Sequence, residues 1–387
     1  MVPASVRKVL FWLHLAAGVA AGLVIFVMCV TGVLLTYEKA ITLWADTRAF
    51  SIAPPDGGRL PIETLLRNVA DAYPQTPLGS VTVSARATAP VRVSSGTRTV
   101  YVHPYSGIVL GEGAPAVRAF FRSVTEWHRY LAASGDRRTT GRAVTGAANL
   151  AFLFIVASGL VMWCPRVWTW RQVKPALLFS GRLRGKARDF NWHNVIGFWS
   201  AIPLFVIVLG SVVISYPWAS NLAYKAVGEV PPGPARPPAS SDGTLAAGPT
   251  GEFEAMFART TRQVPDWRTI TFRVDGAADS PVAFTIDSGT GGQPQKKGTL
   301  TLSRIDGETL RWEPFAALTT GRQLRSWLRF VHTGEFYGLA GQTIAGLASA
   351  GGAVLVLTGL SLVVRRFAAW FTRRRERIAD ADISRAA

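Results

Sequence analysis

Four long uncharged stretches organise the chain. Residues 9–37, 143–165, 190–224 and 336–364 contain no Asp, Glu, Lys or Arg. Each exceeds the roughly 20 apolar residues with which a helix crosses the hydrocarbon core of a bilayer. In lipid only helices and closed barrels satisfy their own backbone groups, and these runs are too long for barrel strands. The pattern therefore predicts four transmembrane helices, at residues 9–37, 143–165, 190–217 and 336–364. The first is too long for the apolar region of a cleaved signal peptide. It leads into Tyr37-Glu38-Lys39 rather than a small-residue cleavage site.

A different periodicity fills the segments between the first and second and the third and fourth runs. In segment 38–142, Pro61 opens a helical run through Leu65, Leu66 and Val69 to Tyr73. Residues 81–83, 91–93 and 99–103 alternate as strands, and Pro104-Tyr105-Ser106-Gly107 is a turn. The segment ends in a polar interfacial stretch, 134–142. Segment 218–335 contains a Pro/Ala/Gly-rich linker, 230–249, then a helix at 252–262 and strands at 269–274, 282–286 and 299–305. Each segment reads as a small α+β lobe.

Charge changes the picture next. The net charge is +18, which raises the possibility of a nucleic-acid partner, but its placement points to a bilayer. Arg7 and Lys8 precede the first helix. Arg166, Arg171, Lys174, Arg182, Arg184, Lys186 and Arg188 fill the loop 166–189. Arg365, Arg366, Arg373, Arg374, Arg375, Arg377 and Arg385 occupy the tail 365–387. These segments alternate correctly for one side, so the positive-inside rule predicts cytoplasmic termini and outward-facing lobes. The tail is expected on anionic headgroups, and no nucleic-acid partner is expected. The two cysteines, Cys29 and Cys164, fall far apart along the predicted helices and read as packing residues. No C-x-x-C-H is present for covalent haem.

The two halves of the chain also resemble each other. His14-x3-Gly18-x3-Gly22 matches His193-x3-Gly197-x3-Ala201, and Ser158-Gly159-Leu160 matches Thr358-Gly359-Leu360. Two helices per unit preserve orientation, so the expected fold is a four-helix membrane bundle built as a parallel repeat, with two α+β lobes. Each repeat supplies one histidine at the cytoplasmic entry of a helix, His14 or His193, and one on the outer side, His128 or His332. Histidine in or beside a span is functional by default. Two facing pairs suit two stacked porphyrins, each iron held axially by two imidazoles, with small residues one turn on leaving room for the macrocycle. Close helix packing, a zinc site and a proton relay are the alternatives. Arg129 and Arg329 beside the outer histidines, and Arg7, Lys8 and Arg188 beside the inner ones, suit haem propionates or simple interfacial snorkelling. Trp12, Trp127, Trp163, Trp192 and Trp327 read as interfacial anchors, and His103 as an ordinary strand residue.

Several ordered motifs resemble the PepSY-associated transmembrane family of bacterial iron-regulated membrane proteins. They are Leu13-His14-Leu15-Ala16-Ala17-Gly18 with Thr31-Gly32, Glu126-Trp127-His128-Arg129, and Thr145-Gly146-Ala147-Ala148-Asn149-Leu150 leading to Trp163-Cys164-Pro165-Arg166. Trp192-His193-Asn194-Val195-Ile196-Gly197 and Val331-His332-Thr333-Gly334-Glu335-Phe336 complete the set. Val102-His103-Pro104-Tyr105-Ser106-Gly107-Ile108-Val109 resembles the closing hairpin of a PepSY lobe. The resemblance implies an inner-membrane ferric-siderophore reductase with two haem b groups, ligated by His14 with His193 and by His128 with His332. A general transmembrane electron carrier and a membrane-anchored regulator of an exported protease are the rival readings. No G-x-G-x-x-G follows a predicted strand, so the expected electron donor is a separate cytoplasmic protein or a membrane quinol.

Overall fold

Uncharged runs become helix wherever a backbone must satisfy itself, and alternating runs become sheet. The computed structural model describes residues 3–53, 57–165, 168–233, 252–277 and 279–386. Arg166 and most of the expected linker, residues 234–249, lie outside the described residues. In chain order the elements are α1 (Ala4–Leu35), α2 (Glu38–Thr47), α3 (Ile62–Ala72), β1 (Ser80–Ser84), β2 (Val91–Ser95), β3 (Arg98–Val102), β4 (Val109–Gly111), α4 (Pro115–Tyr130), α5 (Arg137–Trp163) and α6 (Trp170–Leu177). There follow α7 (Gly185–Ser215), α8 (Pro217–Ala226), α9 (Glu252–Gln263), β5 (Thr269–Arg273), β6 (Val282–Asp287), β7 (Lys297–Leu302), β8 (Thr309–Pro314), α10 (Thr320–His332) and α11 (Gly338–Ala386). The chain divides into a helical unit, residues 1–36, 122–220 and 331–387, and a sheet unit, residues 37–121 and 221–330.

The helical unit holds four helices long and apolar enough to cross a membrane: α1, α5, α7 and the segment Glu335–Glu376 that contains most of α11. They form a ring in which α1 and α7 each pack against α5 and α11, so α1 and α7 stand at diagonal corners. A packed apolar layer of Ile25, Cys29, Phe152, Val156, Leu204 and Val208 fills the middle of the bundle. Gly352 lets α11 approach α1 there, because a Cβ at that position would lie 2.8 Å from the Cys29 sulfur. The helices overrun the uncharged stretches. Part of the polar stretch expected as a separate interfacial segment is the first turn and a half of α5, and the basic tail continues α11 as helix to Ala386. Nothing in residues 365–386 is Gly or Pro, so no residue interrupts that helix.

The sheet unit departs from the expected pair of lobes. Its strands form one eight-stranded sheet in the order β4-β3-β2-β1-β5-β6-β7-β8. The join is the antiparallel pairing of β1 with β5, Val81 opposite Phe272, with the Thr82 and Thr271 hydroxyls 2.9 Å apart. Left separate, the two four-stranded sheets would each expose the unpaired backbone groups of an edge strand; pairing removes both edges. Alternate residues Val81, Val83, Ile270, Phe272, Phe284, Ile286, Leu300 and Leu302 bury one face against α3 and α9. The two helices also exchange carboxylates. Glu63 accepts from the Phe253 and Glu254 backbone N–H groups at the start of α9, and Glu254 accepts from the Ile62 N–H at the start of α3. Each thus satisfies orphan donors at a helix N-terminus.

The hairpins that close the two halves are built alike. The His103 N–H donates to Ile108 and the Gly107 N–H to His103; likewise the Ser303 N–H donates to Glu308 and the Gly307 N–H to Ser303. Gly107 and Gly307 both have positive φ, 72° and 70°. Strands β4 and β8, which follow these turns, are too short or too polar to register as alternation, and only β4 is foreshadowed, by the hairpin at residues 102–109. His103 is not a strand residue. Its Nδ1 accepts from the Tyr105 and Ser106 N–H groups and fixes the turn. In the same unit Asp46, 3% exposed, accepts from the Tyr101 hydroxyl, the Ala114 N–H and Arg118. Burial and that carboxylate hold the Tyr101 phenol above its ordinary pKa.

Candidate functional site

Four of the five histidines lie in the helical unit, as two pairs near opposite ends of α1. His14 sits nearly three turns inside the start of α1, and His193 just over two turns inside α7, the diagonal helix. Both line one cavity of 470 Å³, within the range of about 300–1,000 Å³ typical of small-molecule and cofactor sites. Its walls are apolar and rich in glycine. A Cβ added at Gly18 would meet nothing within 4 Å, so the wall is open there. Lys186 and Arg366 supply the cavity's cations. Trp163 stacks on Phe198, ring centroids 4.3 Å apart, and its indole N–H is buried without a partner among the described residues.

The second pair is His128, in the last turn of α4, and His332, the last residue of α10. Their ring centroids are 6.3 Å apart with planes inclined at 50°. Just after His128 the chain reverses through Leu131 and Ala132, whose φ values of 53° and 57° are unusual for residues with a Cβ. Such conformations cost free energy and concentrate where surrounding structure demands them. They turn α4 into α5 within a few residues, so the polar stretch after His128 does not displace it from His332.

Hydrogen bonds fix all four rings in one tautomer. His14 Nδ1 lies 2.9 Å from Ser158 Oγ, His193 Nδ1 3.0 Å from Thr358 Oγ1, and His128 Nδ1 2.9 Å from Thr31 Oγ1. Each hydroxyl already donates its hydrogen to a main-chain carbonyl: Ser158 to Ile155, Thr358 to Val354, Thr31 to Val27. The oxygen must then accept, so Nδ1 carries the proton. His332 Nδ1 lies 2.9 Å from the Ile207 carbonyl, which can only accept. In every ring Nε2 is left as the bare lone pair, the form that binds a metal.

These features fit haem. The His128 and His332 rings, 6.3 Å apart between centroids, are the residues that would hold one iron, through their Nε2 lone pairs. The other pair looks across a cavity with open, glycine-lined walls and with Lys186, Arg366 and an unpartnered indole N–H available to carboxylates. Among the described residues no cluster of three or more His, Cys, Asp or Glu side chains that could hold a metal ion is present.

Other expected residues stand elsewhere. The cavity cations are Lys186 and Arg366, not Arg7, Lys8 or Arg188. Arg7 donates to the Cys164 carbonyl, and Arg188 is turned to the Asp189 carboxylate, 2.9 Å away. Arg366, with its guanidinium over the Phe11 and Trp12 rings, was legible only as one charge in a basic run. Arg129 lies over the Tyr130 ring, and Arg329, in the sheet unit, over Phe330. Trp12, Trp127 and Trp192 are exposed, as anchors would be, whereas Trp163 faces the cavity. Cys29 is buried, but Cys164 is exposed at the end of α5. The Ser and Thr partners of the histidines were visible only as parts of a repeated motif.

A comparison with curated proteins finds no match. The family model of the PepSY-associated TM region matches residues 11–366, a span that holds α5, α7, most of α1 and of the segment Glu335–Glu376, the sheet and both histidine pairs; the chain is a multi-pass membrane protein and belongs to the PepSY-associated TM family.

Proposed function

We propose that this protein is a two-haem membrane reductase that carries electrons across the bilayer to a ferric siderophore, releasing ferrous iron. One observation carries the reading: two histidine pairs near opposite ends of one bundle, each presenting two bare Nε2 lone pairs. His14 with His193, and His128 with His332, would hold the two haems. Bound haem supplies one-electron chemistry at a potential set by its ligands and surroundings.

The chain's own residues do the rest. Diagonal helices α1 and α7 hold the first pair apart at a fixed span. From His14 to Thr31, the partner of His128, α1 rises about 25 Å at roughly 1.5 Å per residue, so the two sites are stacked through the membrane. The apolar layer at Ile25, Phe152 and Leu204 between them excludes water. Apart from the Cys29 thiol it holds no acid or base, so nothing there suits carrying protons alongside electrons. Lys186, Arg366 and the Trp163 indole are the donors for carboxylates at the first site.

The positive-inside rule applied to the loop before α7 and the tail after Val364 places the His14–His193 site on the cytoplasmic side and the sheet unit outside, in the inner membrane of a bacterium. Electrons would enter from a separate cytoplasmic protein or a quinol and leave from the His128–His332 site. Reporter fusions at Arg182 and at the C-terminus should be active only for a cytoplasmic reporter; the reverse pattern turns the scheme over. A ferric iron accepting one electron becomes ferrous, which binds hard-oxygen chelators weakly, so transfer is release.

The test is spectroscopic and then kinetic. Purified protein should show a Soret band that shifts on reduction, with two haems per chain by pyridine haemochrome, and reduced protein should be reoxidised by a ferric siderophore. A haem-free protein would refute the reading. Haem that only soluble oxidants, and no ferric chelate, can reoxidise favours the general electron carrier instead.

A further inference from the structure

The motif Ser158-Gly159-Leu160 recurs as Thr358-Gly359-Leu360, and its hydroxyls hold the Nδ1 atoms of His14 and His193. Its geometry is more specific. In both copies the hydroxyl accepts from a histidine on the neighbouring helix, and the following glycine lies against the same ring. A Cβ at Gly159 would stand 3.6 Å from His14 Cε1, and one at Gly359 3.3 Å from His193 Cε1. The same pair of residues occurs a third time. Thr31 accepts from His128, and a Cβ at Gly32 would stand 3.6 Å from His128 Cε1. An alanine would just touch the ring at 32 and 159, and at 359 the ring would have to give way; anything larger would push it.

The fourth histidine breaks the pattern in an instructive way. The place that Thr31 holds in α1, counted from His14, is held in α7, counted from His193, by Gly210. With no hydroxyl there, His332 donates directly to the Ile207 carbonyl one turn earlier. The corresponding carbonyls at the other three sites, Met28, Ile155 and Leu355, each accept from the intervening hydroxyl.

Resting on the two-haem reading, we infer that the hydroxyl–glycine pairs Thr31-Gly32, Ser158-Gly159 and Thr358-Gly359 are positioning cradles for three of the four axial histidines, the fourth being held by main chain alone. The hydroxyl relays the Nδ1 proton's hydrogen bond to a helix carbonyl and fixes the ring's rotation; the glycine lets the helix backbone approach the ring edge. Groups that orient a ligating histidine through its second nitrogen also raise its basicity. The two sites are consequently unequal. The His14–His193 site has two hydroxyl-held ligands, and the His128–His332 site has one.

The experiment compares full-length wild type with the double variant Ser158→Ala/Thr358→Val, in detergent, by haemin titration and by potentiometry followed with EPR. Haem affinity at the His14–His193 site should fall about 10–100-fold, the usual cost of removing partners of a metal-ligating histidine. The midpoint of that site should rise as its imidazoles become less basic, while the other site keeps its signal and so reports an intact fold. Exchange variants Ser158→Thr/Thr358→Ser, which keep both hydroxyls, should restore affinity and midpoint. Wild-type affinity and midpoint in the double variant would overturn the cradles while leaving the haem reading intact. A wild type that takes up no haemin overturns the functional reading, and this inference with it.

Discussion

His14 and His193 look at each other across a 470 Å³ cavity; His128 and His332 stand with ring centres 6.3 Å apart. The parts are the same, four imidazoles in one tautomer, but the frames differ. The first pair rides on two long helices at diagonal corners, so its span is set by the bundle. The second rides on the last turn of α4 and the last residue of α10, where one threonine of α1 and one carbonyl of α7 fix the rings. A site inside a bundle gets its geometry from helix packing. A site at its end depends on turns, which is why the strained pair Leu131 and Ala132 occurs at that end.

Removing a ligand tests this difference most harshly. His14→Ala and His193→Ala should each cost about half of the bound haem, because the other site uses separate ligands. His332→Ala should cost a similar share and also abolish reoxidation by a ferric siderophore in stopped flow, since electrons leave from that end. Unchanged haem in all three variants means the pairs are not the ligands. Wild-type reoxidation in His332→Ala means electrons exit elsewhere.

Filling space is the second test, and it should separate the sites cleanly. Gly18 faces open room in the cavity, so Gly18→Leu places an apolar side chain there at little cost to the apoprotein. Haem at the His14–His193 site should be lost or strongly weakened, and the signal of the other site retained. Full occupancy of both sites in Gly18→Leu would show that the cavity is not where the macrocycle lies.

The contrast between the sites also marks how far the sequence could be read. The four spans, the strands β1–β3 and β5–β7 and the helices α3 and α9 follow from uncharged runs and alternation. The candidate histidines stand out because a polar ring beside an apolar span has few innocent reasons to be there. What escaped is what depends on distance in space. α4 and α10, which carry His128 and His332, are amphipathic, and nothing in their periodicity says that the two histidines meet. The pairing of β1 with β5 is a contact between segments far apart in sequence, so two lobes were expected where one sheet forms. Arg366 and Lys186 were indistinguishable from their basic neighbours until the helices were assembled, and Arg188, a better candidate by position, is neutralised by Asp189. The hydroxyls of Ser158 and Thr358 were in plain view but mute, because a serine one turn from a helix end has many uses.

The smallest expected effect belongs to Thr31→Val, and it bears most directly on whether the two sites are built by one rule. Thr31 is buried, and its hydroxyl accepts from His128 while bonding the Val27 and Met28 carbonyls. Valine keeps nearly the same volume and removes only the hydroxyl. The Met28 carbonyl remains in the position from which Ile207 serves His332, so the ring of His128 has a second acceptor to turn to. Its partner ligand never relied on a hydroxyl. Haem affinity at this site should therefore fall only roughly two- to tenfold, the equivalent of one hydrogen bond at about 0.5–1.5 kcal/mol. The EPR signature should change, because the ring rotates toward the new acceptor, and the His14–His193 site should be untouched. Haemin titration with EPR of the single variant checks this. A loss as large as that in Ser158→Ala/Thr358→Val would mean that the Met28 carbonyl cannot replace the hydroxyl. The equivalence of Met28 with Ile207, and with it the account of why Gly210 is tolerated opposite His332, would then fail.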